Sequence, residues 1–389
     1  MLDPLFTWLL LPLGVALGWA LGRRAATTGP VRGFTGEQLG GLLTQLSSDD
    51  PDQAIAALTT ATEIDPSTAE LHLTLGRMFR KRGEVDRALR VHEALVQRAG
   101  LAPALRLQAR FELAQDYMTA GVMDRAERLF DELVADGAFV VPALEAIRTI
   151  HEQARDWPQA IAAARRLQSA KGESQRAAIA QYLCEMAVDA RNARRHGDAI
   201  RLAREALDED PDCVRALLLL GELQEAAGDH AAAMRAYLRA FEQDPRFLPD
   251  VIEPLQRCAA ATGERDRYLL FLRDAKEMSP SSLPYVAEAR LLAETGLDPL
   301  DHLAQSLEAR PSRAVLAEFL EVLERQPNVV AAGLDKPAAS LRRALLRLME
   351  STPRYQCSNC GFSPRQMFWQ CPGCKRWGTT APVDDVLRG

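Results

Sequence analysis

Residues 220–245 read LGELQEAAGDHAAAMRAYLRAFEQDP, and this stretch decides the fold. It describes two helices folded back on each other. Leu220-Gly221 lies on the first helix and Gly228-Asp229 at the turn. Ala233, Tyr237 and Ala240 follow at helical spacing on the second. Gly221 and Ala233 lack bulk, so the two helices can approach closely. Gly228 suits the turn, where a left-handed backbone is cheap for glycine. Asp244-Pro245 closes the unit, because proline ends one helix and starts the next turn.

The unit recurs. Ala54, Ala88, Ala126, Ala160, Ala199 and Ala233 fall 34, 38, 34, 39 and 34 residues apart. Leu75-Gly76 with Phe79, Gly83 and Ala88 make a second good copy. Leu113-Ala114 with Tyr117, Gly121, Ala126 and Phe130 make a third. Pro66, Pro211, Pro245 and Pro280 act as terminators. The copy after Pro245 is weaker, with Gly263 at the turn and Tyr268 where alanine is expected. From about Leu283 to Glu350 the helical pattern persists without the signature. The unit resembles the tetratricopeptide repeat, a helix-turn-helix of about 34 residues. Accidental spacing in an ordinary helical domain does not account for six small residues with matching glycines and prolines. The expectation is an all-α solenoid, whose curved groove binds peptides or proteins and rarely does chemistry.

Past the repeats, Cys357-Ser-Asn-Cys360-Gly361 is followed by Cys371-Pro-Gly-Cys374. Two C-x-x-C pairs brought together supply four soft ligands for a tetrahedral site. About thirty residues bury too little apolar surface to fold without such a staple. Two disulfides would suit a secreted chain, and a redox C-x-x-C would need a thioredoxin-like unit that is not visible. One structural metal ion on Cys357, Cys360, Cys371 and Cys374 is therefore expected. Four thiolates leave no open position for catalysis, and tetrahedral sulfur suits iron and zinc alike.

Leu5 to Gly22 contains no charged residue, and its length matches a transmembrane helix. Trp8 and Trp19 sit near its ends, where amphipathic rings favour the interface. Arg23 and Arg24 follow directly, so the positive-inside rule places the N-terminus outside and the rest in the cytoplasm. A cleaved secretory signal would carry its basic residues on the other side. Pro12 and the glycines, which would weaken a buried core helix, are tolerated in membranes. Reduced cytoplasmic thiols in turn favour metal over disulfide.

The chain has 389 residues and a formal net charge of -6, which suggests no general affinity for nucleic acid. His72, His92, His151, His196, His230 and His302 are scattered and read as packed or solvated helix residues. Cys184, Cys213 and Cys258 read as small core residues. No phosphate-binding glycine loop or catalytic constellation stands out, so the chain is not read as an enzyme. On the first helix of a repeat, Arg77, Arg80 and Lys81 are expected to project toward the concave face and could hold an acidic peptide segment or a C-terminal carboxylate. A solvated charged face is the competing reading.

Anchor, solenoid and four-cysteine module, in that order, resemble the lipopolysaccharide assembly protein B family of Gram-negative bacteria over nearly the whole chain. The resemblance rests on Leu5–Gly22, the repeats from about Thr35 to Pro280, and the cysteine tail. It implies an anchor over 1–22, a linker over 23–34 and repeats over 35–282. An irregular helical continuation over 283–352 and a rubredoxin-like metal-binding knuckle over 353–389 follow. In such knuckles backbone N–H groups point at the sulfurs, and Gly361 and Gly373 suit the tight turns. Lys375 stands where rubredoxin has glycine after the second pair, which weakens an electron-transfer reading more than metal binding. The resemblance further implies that the metal module packs against the repeats. It also implies an adaptor at the bacterial inner membrane, acting with the protease FtsH to promote degradation of the deacetylase LpxC. A scaffold that gathers lipopolysaccharide-synthesis enzymes or other regulatory membrane proteins, and a rubredoxin-type redox protein, are the alternatives.

Overall fold

The computed structural model of the chain describes residues 68–383. The expected membrane span, the linker and Ala54 lie outside the described residues. Among those described, no helix is long and apolar enough to cross a membrane.

Helical hairpins dominate, as the repeat pattern predicts. They are α1 (Ala69–Lys81) with α2 (Val85–Gln97), α3 (Pro103–Thr119) with α4 (Met123–Ala135), and α5 (Val140–Ala154) with α6 (Trp157–Lys171). Next come α7 (Arg176–Asn192) with α8 (His196–Glu209), α9 (Val214–Ala226) with α10 (His230–Gln243), and α11 (Leu248–Thr262) with α12 (Arg265–Met278). Five further helices follow: α13 (Leu283–Glu294), α14 (Leu300–Ala309), α15 (Arg313–Glu324), α16 (Pro327–Ala331) and α17 (Asp335–Ser351). Two three-residue strands, β1 (Tyr355–Cys357) and β2 (Thr380–Pro382), pair antiparallel with Cys357 opposite Thr380. The chain divides into two compact units between Ala143 and Leu144.

The small residues sit where their spacing places them. Ala88, Ala126, Ala160, Ala199 and Ala233 are all fully buried. A Cβ on Gly221 would lie 2.5 Å from the Tyr237 ring, so only glycine fits there. Gly76 meets His92 in the same way, at 2.3 Å. His92 thus fills the place that Tyr237 fills in the better repeat. Gly228 at the turn has φ +82°, in the left-handed region. Tyr268, standing where alanine is expected, donates its hydroxyl to the Ile252 carbonyl at 3.2 Å.

In the first unit, Leu73, Phe79, Val91 and Leu95 build the core between α1, α2 and α3. In the second unit one core joins α9 to α12 around Tyr237, Phe241, Leu248 and Leu272, and it includes Ala381 from β2. Another joins α6 to α9 around Tyr182, Leu202 and Leu219. Past α12 the packing changes character. Leu303 and Val315 pack with Val286 and Ala289, and the Ser282 and Ser312 hydroxyls meet at 2.6 Å. These contacts replace the alanine and glycine interlock, so helices continue after the repeat signature ends.

Candidate metal centre and its docking face

The two C-x-x-C pairs form two matching knuckles. In the first, the Gly361 N–H donates to the Cys357 carbonyl at 3.0 Å and the Cys357 N–H to the Phe362 carbonyl at 2.8 Å. In the second, the Lys375 N–H donates to the Cys371 carbonyl at 2.8 Å and the Cys371 N–H to the Arg376 carbonyl at 2.9 Å. Backbone N–H groups of Asn359 and Cys360 are directed at the Cys357 sulfur, that of Phe362 at Cys360, and that of Arg376 at Cys374. Donors aimed at sulfur favour the thiolate.

The four sulfurs lie within 4.8 Å of one another. Cys357 and Cys374 sulfurs are 3.8 Å apart, and those of Cys360 and Cys371 are 3.6 Å apart. A tetrahedral ion with metal–sulfur bonds of about 2.3 Å needs sulfur–sulfur edges of about 3.8 Å. The donor set therefore fits one tetrahedral ion. Charge makes the same point. The Thr379 hydroxyl, 3.3 Å away, draws the Cys357 thiol down to about 6. At Cys360 the Phe362 N–H also pulls down, but burial and the neighbouring sulfurs outweigh it and push the thiol up to about 11. Sulfurs this close cannot all ionise until a cation joins them. When bound, the ion supplies cross-linking of the two knuckles and no open coordination position.

The two glycines assigned to the turns play different parts. Gly361 has φ +75°, which the tight turn requires. Gly373 is not in the left-handed region, and a Cβ there would make only ordinary contacts, the nearest 3.4 Å from the Cys360 sulfur. The second knuckle's left-handed position belongs to Lys375, with φ +59°. A non-glycine residue there costs about 1 kcal/mol or slightly more. Lys375→Gly should therefore raise the thermal midpoint of the metal-loaded module, by roughly 1 kcal/mol of stability. A lowered midpoint would mean that the lysine side chain contributes more than its backbone costs.

The module is seated on the repeats by its aromatic residues. The Trp377 ring meets Trp157 edge-on at 6.2 Å and Tyr182 edge-on at 5.9 Å. Trp369 stacks on Phe247 at 5.6 Å with the ring planes 6° apart. Between the two tryptophans sits Arg215 of α9, with its guanidinium carbon 5.7 Å and 5.9 Å from the ring centres. Its side chain is only 7% exposed, and Glu185 neutralises it at 2.7 Å. Tyr182 donates its hydroxyl to Glu152, and Gln370 reaches the same carboxylate at 3.4 Å. These residues were not singled out from the sequence. The available signal was the presence of Phe368, Trp369 and Trp377 in a module too small to bury them itself.

Asp250 of α11 faces Tyr355 beside the module. Burial pushes its carboxyl up to about 6, against the pull of Arg354. Its Oδ2 is buried without a hydrogen-bond partner. A carboxyl raised in the folded state contributes its full share of stability below about pH 4, where it is neutral in both states. That share is lost as pH rises through about 6. Asp250→Asn should therefore leave stability unchanged near pH 4 and raise it at pH 8 by on the order of 1–2 kcal/mol. Equal gains at both pH values would assign the effect to something other than the buried charge.

In the first unit, Arg77 and Arg80 reach across to α3. Arg80 holds Glu112 at 2.5 Å and Asp116 at 2.6 Å, and Arg77 holds Glu112 at 3.1 Å. Asp116 is fully buried and also meets His92 at 2.5 Å. Lys81 is exposed. An acidic segment arriving here meets Lys81 freely but competes with internal carboxylates for the two arginines. Cys184, Cys213 and Cys258 are buried among helices, and His72, His92 and His151 are buried as well.

Residues 355–382 match the family model described as rubredoxin metal binding domain. Residues 45–111 and 184–246 match tetratricopeptide repeat models. Lipopolysaccharide assembly protein B of Escherichia coli (strain K12) is 31% identical over 98% of this chain and 98% of its own length. The chain belongs to the lipopolysaccharide assembly protein B family. The family's Haemophilus influenzae (strain ATCC 51907 / DSM 11121 / KW20 / Rd) member is 30% identical over 99% of both chains. Among solved structures, the crystal structure of MamA protein aligns with 47% of this chain and 94% of its own, at 17% identity and a TM-score of 0.32. That match is too loose to add to the family assignment.

Proposed function

We propose that this protein is a non-enzymatic adaptor of the bacterial inner membrane that controls lipopolysaccharide synthesis, by promoting FtsH-dependent proteolysis of the deacetylase LpxC. The observation that carries the reading is similarity to lipopolysaccharide assembly protein B over 98% of both chains, across repeats and metal module alike. Stacked helical hairpins offer an extended concave surface suited to protein partners. A span over Leu5–Gly22, with the N-terminus periplasmic and the bulk of the chain cytoplasmic, would confine that surface to the plane of a membrane protease. Confinement raises effective concentration, so modest contacts suffice. A structural iron or zinc ion on the four cysteines would hold the module against the solenoid.

Within this reading an acidic partner segment would contact the first unit at Arg77, Arg80 and Lys81. Replacing Arg80 would also strand the buried Asp116, so Lys81→Glu is the cleaner probe. The decisive experiment is the half-life of the deacetylase in cells with and without this protein. A longer half-life on depletion supports the adaptor. An unchanged half-life rejects it and favours a scaffold for the biosynthetic enzymes.

A further inference from the structure

A crevice of about 410 Å³ opens in the second unit, and its lining includes neither the four cysteines nor the docking tryptophans. It lies where the starts of α13 and α15, the end of α17 and strand β2 meet. Its walls are apolar, with Leu283, Leu346, Met349 and Val383 among them. Pro249, Pro280, Pro353 and Pro382 also line it. Prolines have no N–H to donate, so these walls offer an extended peptide backbone little to bond with.

The charge in the crevice is one-sided. Arg313 and Arg354 both line it; among the described residues neither forms a direct ion pair, and the carboxylate that feels Arg354 is the buried Asp250. The Arg313 contact is the Thr352 hydroxyl at 3.5 Å. Arg246, also at the crevice, is neutralised by Asp244 at 2.7 Å. Glu350 is the acidic lining residue, and it is exposed. Two helices of twelve residues begin here, at Leu283 and Arg313, and their N-terminal ends add positive potential. The larger cavity beside Trp369, of about 710 Å³, differs on this point. There Arg191 pairs with Glu222, Arg257 with Glu225 and Arg215 with Glu185, each at 2.7 Å.

We propose that this crevice binds an amphiphilic anion. A carboxylate or phosphate head sits against Arg313 and Arg354, whose planar forks match either group. The apolar tail lies between Leu283, Leu346, Met349 and Val383. The volume falls in the usual range for small-ligand sites, roughly 300–1,000 Å³. Such a ligand touches the solenoid's last helices and β2 of the metal module together, so its binding fastens one to the other. The inference rests on the crevice alone and stands whatever the partner proteins are.

The test uses the full-length protein in phosphatidylcholine nanodiscs, titrated calorimetrically with octanoate, octyl phosphate and octanol, with empty nanodiscs subtracted. Saturable binding of an anion, with none for octanol, is expected. The tighter of the two anions identifies the head group. Arg313→Gln combined with Arg354→Gln should weaken binding at least tenfold. Val383→Asp, at an exposed wall position, should weaken it too without disturbing α15. No saturable binding of either anion overturns the proposal, as does equal binding of octanol or binding unchanged in these variants. Tighter binding of a short apolar peptide with a free C-terminus than of either amphiphile would assign the crevice to chain ends and likewise overturn it.

Discussion

Removal of the metal should unfold residues 355–382 and lower the stability of the repeats beneath them. The module has two three-residue strands and a handful of turn hydrogen bonds. That cannot offset the backbone entropy of ordering nearly thirty residues, at about 1–2 kcal/mol each. Coordination by four thiolates contributes on the order of 10 kcal/mol in modules of this kind, and it is coupled to folding. Without the ion, four sulfurs within 4.8 Å repel as they ionise, so the knuckles separate. Chelation, or Cys357→Ser with Cys371→Ser, should abolish the module's ordered signals and the stoichiometric metal content. Because ligands must be deprotonated, acid should release the ion before it unfolds the helices. An intact module after complete chelation would show that the tryptophans alone hold it.

The second large effect is expected from Trp369→Ala together with Trp377→Ala. Each ring packs on aromatic residues of the repeats and on Arg215, and each loss should cost roughly 2–4 kcal/mol. Removing both also exposes Tyr182 and leaves Arg215 without its ring partners. The four cysteines are untouched, so the variant should still bind one metal ion per chain. Thermal unfolding should then separate into two transitions, one for the repeats and one for a freed knuckle. A single transition at the wild-type midpoint would mean that the rings contribute little beyond covering one another.

The repeats were legible because their determinants are local. Ala233, Gly228 and Pro245 each act within one hairpin, and the same residues recur at a near-constant period. The four cysteines were legible because metal ligation needs a fixed short spacing. The docking face was not, because its partners are far apart in sequence. Gln370 and Glu152 are 218 residues apart, and no periodicity links Trp377 to Tyr182. Arg215 lies in a leucine-rich helix, where it looks like an ordinary solvated residue until the two tryptophans cover it. Gly373 does not carry the left-handed turn that its place between the cysteines suggests; Lys375, after the second cysteine, does. Arg80 looked free because the carboxylates it holds belong to α3, in the next hairpin.

The metal-closed module and the second unit stabilise each other through Trp369, Trp377 and Arg215. Hydrogen exchange of the full chain, metal-loaded and chelated, tests this most directly. Chelation should accelerate exchange in residues 355–382 and also in α7, α9 and the start of α11, while α1 to α3 stay protected. Faster exchange confined to residues 355–382, with α7 and α9 unchanged, would contradict it.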